Sequence, residues 1–193
     1  MARRKAFDPD AVLQRALELF WERGYEATSM TDLVEHLGIA RASIYATFGS
    51  KQDFYALALR RYLDATDPKI MTELSQPGPV LPAVRALVDR YVTEAAEDER
   101  QLGCMVVNSA VELAGREERV ARLVEASWAH LETALTSALL RARAQGEVPP
   151  EADPRALARF LLVFFQGVRV LGRAPDAGVR LRDAARIAVS VLG

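Results

Sequence analysis

The sequence predicts an all-α chain of about nine helices, and three observations carry that expectation. Apolar residues recur at helical spacing from end to end, alternating strand patterns are missing, and capping residues and glycine stops punctuate the segments. With 193 residues, 50% apolar and 26% charged, the chain has enough apolar mass for a sizeable core and is not a disordered polypeptide.

The first helix runs from Asp8 to about Arg23, with Leu13, Ala16, Leu17 and Phe20 on one face. Asp8 suits its cap, Pro9 its first position and Gly24 the place just past its end. Ser29-Met30-Thr31-Asp32 reads as a cap with an acid three residues on, opening a short helix that closes at Gly38. Ile39 to Phe48 forms a third short segment, and Ser50-Lys51-Gln52-Asp53 repeats the capping signal for a longer helix through Tyr62. The strongest break is Ser75-Gln76-Pro77-Gly78-Pro79. Beyond it come a helix marked by Val84, Leu87, Val88, Tyr91 and Val92, a shorter one from about Met105 to Leu113, and a long one from Val120 through Leu139. Two further helices are expected near Pro154 to Leu171 and Leu181 to Leu192.

Lys and Arg number 25 against 26 Asp and Glu, so a nucleic-acid site has to be local rather than spread over the whole surface. One cysteine, Cys104, rules out an internal disulfide framework, and with only His36 and His130 there is no Cys/His zinc module. Asp8 and Asp10 stand where a secretory leader needs an apolar stretch, and the densest apolar run, Phe160 to Leu171, is too short to span a bilayer. A soluble, cytoplasmic protein is the expectation. Enzyme signatures are missing too. The residues three before His36 and His130 are Leu33 and Ser127, so no di-iron pair of the Glu-x-x-His type exists, and no phosphate loop or dinucleotide fingerprint appears.

The second and third helices are separated only by Gly38-Ile39-Ala40, which is helix-turn-helix spacing. Leu33, Leu37 and Ile44 can close a small core, leaving Arg41, Ala42, Ser43, Tyr45 and Thr47 outward, small or hydrogen-bonding groups of the kind a major groove accepts. On spacing alone an ordinary three-helix packing unit fits as well. The longer strings are more specific. Phe20 to Met30 (FWERGYEATSM), Leu37-Gly38-Ile39 and Ser43 to Lys51 (SIYATFGSK) resemble the DNA-binding domain of the TetR family of bacterial regulators, without a gap from Asp8 to about Tyr55.

That resemblance implies a helix-turn-helix domain over residues 1–49 and a ligand-binding and dimerisation domain over 50–193, with the helix of residues 50–65 connecting them. It implies a homodimeric repressor of a palindromic operator that is released by a small-molecule inducer, with no cofactor or metal. By position, Arg41, Ala42 and Ser43 start the recognition helix, Tyr45 and Thr47 touch phosphate or neighbouring bases, Thr31 meets backbone, and Lys51 binds phosphate. Arg3, Arg4 and Lys5 are either a minor-groove arm or a solvated tail. Two positions depart from the family pattern: Ala40 replaces a capping serine, and Thr47 a longer side chain.

For the C-terminal part the resemblance implies dimerisation through the last two helices, with Phe160, Leu161, Phe164, Val168, Leu171, Leu181, Ala184 and Ala188 as interface candidates. It implies a ligand space among the fifth to eighth helices, for which Tyr91, Cys104, Met105, Asn108, Glu112, Trp128 and Gln166 are candidates. Gly103-Cys104-Met105 is similar to the glycine-cysteine signature of a subgroup that includes electrophile sensors, so Cys104 is either a sensing thiol, with Arg100 near it in sequence, or core packing.

Overall fold

A computed structural model of the chain describes residues 7–192, and among them every regular element is a helix. The order is α1 (Pro9–Arg23), α2 (Met30–Leu37), α3 (Arg41–Phe48), α4 (Lys51–Leu74), α5 (Val80–Ala96), α6 (Met105–Glu112), α7 (Glu118–Ala144), α8 (Pro154–Leu171) and α9 (Gly178–Ser190).

The local signals decide most boundaries. Asp8 accepts from the Asp10 N–H and Pro9 opens α1. Ser29 with Asp32 and Ser50 with Asp53 each form a complete capping box. Ala40 leaves α3 without a side-chain cap. The larger difference from expectation is α4, which continues past Tyr62 through an internal proline, Pro68, to Leu74. Pro68 has no N–H for the helix ladder, yet Leu74 at the far end is buried, so packing carries the helix across the lost bond. The Thr72 hydroxyl also donates to the Pro68 carbonyl at 2.9 Å.

Buried apolar side chains form two cores, and they do not divide at residue 49. The first joins α1, α2, α3 and the front of α4 to Met105, Val106 and Leu113 around α6 and to Val120, Leu123 and Val124 at the start of α7. The second is made by α5, the rear of α7, α8 and α9. The long helix α7 runs through both.

Four residues expected at a dimer surface are instead buried within the chain, Leu161, Val168 and Leu181 in the second core and Ala188 beneath α9. Helical periodicity identified the apolar helices correctly but could not say which of two apolar stripes faces inward. The stripe left outside α8 and α9 contains Phe160, Leu171 and Ala184 from the expected set, half-buried Phe164, and also Val163 (71% exposed) and Ile187 (64% exposed). A Cβ added at Gly167 would meet nothing within 4 Å, so this face is open and flat there.

Candidate nucleic-acid interface and effector cavity

The α2–α3 turn depends on Gly38, whose φ of 70° lies in the left-handed region that costs glycine no steric strain. Ile44 and Phe48 anchor α3 from below, with the Phe48 ring stacked on Phe54 at 4.2 Å. Arg15 of α1 donates from Nη1 to the Leu37 carbonyl at 3.1 Å and also bonds the His36 carbonyl, closing the C-terminal end of α2. Sequence reasoning missed Arg15; nothing local marks an arginine whose partners lie 21 and 22 residues away.

Above this base, Arg41, Ala42 and Tyr45 are exposed on α3, and Ser43 and Thr47 are half-buried. Arg41 Nη2 donates to Thr31 Oγ1 at 2.9 Å, bringing the start of α3 and the start of α2 onto one face. Lys51 is tied down more closely than its sequence position suggests. It was expected to aim its ammonium at phosphate, but Nζ donates to the Tyr25 and Thr28 carbonyls, each at 2.9 Å, and sits 3.9 Å from the centroid of the Tyr25 ring. These two carbonyls and the aromatic face brace the α1–α2 loop through that cation, which keeps one further N–H to donate. Arg3, Arg4 and Lys5 lie outside the described residues.

The two capping boxes carry an acid dependence. The Ser29 hydroxyl, then the Ser29 N–H, hold the Asp32 carboxyl below its ordinary value, and Ser50 does the same for Asp53. A carboxyl with a lowered folded pKa stabilises the fold above its ordinary pKa of about 4 and loses that contribution as pH falls through the folded value. Acid titration of unfolding free energy is therefore expected to show a loss below about pH 4 that Asp32→Asn and Asp53→Asn each reduce. An unchanged acid limb in both variants would refute it.

Glu112, expected to line a ligand space among the fifth to eighth helices, lines with Asn108 a separate cavity of about 360 Å³ beside Trp21 and Gly24. Its carboxylate accepts from the Tyr25 N–H at 3.0 Å and the Glu26 N–H at 2.8 Å, holding the α1–α2 loop from the end of α6. Around it, Tyr55 and Ser109 share a buried hydroxyl bond of 2.8 Å, Arg119 pairs with Asp53 at 2.6 Å, and Gln52 donates to Glu117 at 2.8 Å. Burial pushes the Tyr55 hydroxyl pKa up to about 12, so it stays protonated as a donor.

A cavity of about 150 Å³ lies among α4 to α8. Tyr91, Cys104, Trp128 and Gln166 line it as expected; Met105 and Asn108 do not. Met105 is fully buried in the first core, and Asn108 donates to the Leu102 carbonyl and accepts from Arg173. Sequence reasoning missed Tyr62, Arg90, Glu94 and Arg169 in this wall. Cys104 Sγ accepts from the Tyr62 hydroxyl at 3.6 Å. Arg100 pairs with Glu22 at 3.6 Å, while Arg169 shares the cavity wall with the thiol. Asp67, Ser127 and His130 belong both to this cavity and to an open groove of about 600 Å³ between α4 and α7. Among the described residues no group of three or more His, Cys, Asp or Glu could hold a metal ion, and no helix is long and apolar enough to cross a membrane.

These features coincide with known proteins over the whole chain. A regulator of Bacillus subtilis called YezE, described as an uncharacterized HTH-type transcriptional regulator, is 39% identical over all of both chains. The HTH-type transcriptional repressor ComR of Escherichia coli is 33% identical over 98% of this chain and 90% of its own. In structure, a cysteine-substituted CifR, a TetR family transcriptional regulator complexed with 26-bp double-strand operator DNA, superposes with a TM-score of 0.86 at 29% identity over all of both chains. The profile for bacterial regulatory proteins of the tetR family matches residues 12–58, and that of the tetracyclin repressor-like C-terminal domain matches 80–188. An exposed α3 on a braced helix-turn-helix, joined to a hollow helical body, is thus the arrangement of a known lineage: the chain is a transcriptional regulator belonging to the tetR family of bacterial regulatory proteins.

Proposed function

We propose that the protein is a homodimeric, cytoplasmic repressor that places α3 of each subunit in a major groove of a palindromic operator and lets go when a small molecule enters the cavity among α4 to α8. The observation that carries this reading is the α3 face. Arg41, Ala42 and Tyr45 stand outward over a fully buried Ile44, as a helix pressed into a groove requires. Support for the operator comes from ComR, named a repressor, and from CifR, solved on operator DNA. Gel shift and footprinting on the protein's own upstream region, at several salt concentrations, test it; binding that ignores sequence would overturn it.

Within that interface Arg41 reads and Lys51 supports. Arg41 is the only long donor at the start of α3, fit for a bidentate contact to guanine O6 and N7. Arg41→Ala is expected to cost about 1–3 kcal/mol and relax preference at one base pair of each half-site. Lys51→Ala loosens the α1–α2 loop instead, weakening all sites alike and changing the salt slope by less than about one counterion per subunit. An operator library screened with both variants separates the roles; a changed preferred base in Lys51→Ala would reverse them.

We also place the C-terminal domain in the subgroup with Gly-Cys at the sixth helix. Gly103 has a φ of 65°, and a Cβ there would come within 2.9 Å of the Arg173 side chain, so a glycine is demanded before Cys104. Cys104 itself reads as cavity wall. Cys104→Ser is expected to keep both operator binding and its release by electrophiles unchanged; release lost only in the variant would make the thiol a sensor.

A further inference from the structure

The cavity wall is unevenly supplied with hydrogen-bond donors and acceptors, and the imbalance indicates a ligand class. Arg169 donates from Nη2 to Glu94 at 2.6 Å, and Arg90 pairs with Glu73 and lies 3.8 Å from Glu94. Each ion pair is asymmetric in burial. The side chains of Arg169 and Arg90 are 20% and 31% exposed, against 47% for Glu94 and 44% for Glu73, so the guanidinium groups lie deeper and their carboxylates lie toward water. Arg90 Nε is buried and faces Glu94 at 3.8 Å, too far for a hydrogen bond. The Tyr62 hydroxyl has only the sulfur of Cys104, a weak acceptor. On the other side, Gln166 is satisfied: its oxygen accepts from Trp128 Nε1 at 3.2 Å and its nitrogen donates to the Leu162 carbonyl. Asp67 is the one further acid on this wall; it already accepts from the Ser127 hydroxyl at 3.5 Å, and burial raises its pKa.

We propose that the cavity takes a small monocarboxylate with a flat apolar body, its oxygens on the guanidinium groups of Arg169 and Arg90 and its body against Tyr62, Trp128 and Leu131. The class follows from the wall. A carboxylate has only acceptors, matches a guanidinium fork, and competes with Glu94 and Glu73, whose charges are partly screened by water. The size follows from the cavity, since about 150 Å³ is the room a single benzene ring fills. Arg169 is held in place by the Tyr91 ring, 4.5 Å from its guanidinium carbon. Its backbone carbonyl packs against Gly103, one residue before the thiol that opens α6. A ligand pulling on Arg169 therefore acts first on α6, whose far end holds the α1–α2 loop through Glu112.

This inference rests on the reading of the cavity as the effector site, and the test separates the two. Calorimetric titration of the full chain with benzoate, phenylacetate and hexanoate, and with the three matching amides, is expected to show acids binding at least about tenfold more tightly than amides. Arg169→Gln removes that preference. Because loss of binding can also come from a damaged fold, Glu94→Gln supplies the opposite sign: it deletes the competing carboxylate and is expected to strengthen acid binding several-fold. Equal affinity for acid and amide, an unaltered preference in Arg169→Gln, or weaker acid binding in Glu94→Gln overturns the carboxylate assignment while the cavity keeps its ligand. Heat from neither set overturns both the class and the effector role of the cavity.

Discussion

Val163→Glu is expected to turn a dimer into a monomer and to lower operator affinity by about 10²–10⁴-fold, the factor that linking two half-site contacts supplies. Val163 is 71% exposed in the isolated chain, in the open stripe of α8 that also holds Phe160 and Phe164. In a two-fold symmetric contact every residue near the axis faces its own copy or a close neighbour of it, so one substitution sets two carboxylates against each other in an apolar interface. Ile187→Glu on α9 should do the same. Neither side chain belongs to the chain's own core, so the helix content and melting of each monomer should stay close to normal, unlike charge placed at buried Val168. Light scattering with operator titration checks both halves. A monomeric wild type, or a Val163→Glu dimer with full operator affinity, would remove the proposed assembly.

Glu112→Ala is expected to cost about 2 kcal/mol of stability and to disconnect the cavity from the DNA face. Removing the carboxylate orphans two N–H groups, those of Tyr25 and Glu26, in the loop that Lys51 braces from its other side. Glu112→Gln keeps one good acceptor and should lose about half as much. Chemical denaturation reads the stability, and operator release at saturating ligand reads the connection. A Glu112→Ala protein that still released DNA normally would show that the signal travels by another route, the Arg119–Asp53 and Tyr55–Ser109 contacts being the next candidates.

The parts of this molecule that were legible in its sequence are those whose causes are local. Ser29 with Asp32, and Ser50 with Asp53, announce helix starts because both partners of each bond lie within four residues. Gly38 announces a turn because only its own φ is at stake. Where the partner is distant the sequence is silent. Nothing near Lys51 in sequence announces the Tyr25 ring beneath it, and nothing near Glu112 announces the Tyr25 and Glu26 amides 87 and 86 residues upstream. The α8 stripe failed differently. Leu161 and Val163 are both apolar, and composition cannot say which faces the chain's own core and which stays exposed on it. The run of α4 past Tyr62 was not legible either, because the burial of Leu74 that offsets the local cost of Pro68 depends on distant partners.

The shared course of α7 through both cores has a consequence for how such proteins can be recombined. A reading head excised at residue 49 would leave behind Phe54, Tyr55 and Leu59, and with them Met105, Leu113 and Val120, which complete the packing around Phe20 and Leu33. Grafting only the first three helices onto another sensor therefore exposes apolar surface on both fragments. A viable chimera has to carry α4, α6 and the front of α7 together, and Tyr62, Cys104 and Val106 of the proposed effector cavity travel with them. If the proposed roles hold, operator choice can be altered by point changes on the outer face of α3, but it cannot be exchanged wholesale without also importing part of the donor's chemical taste.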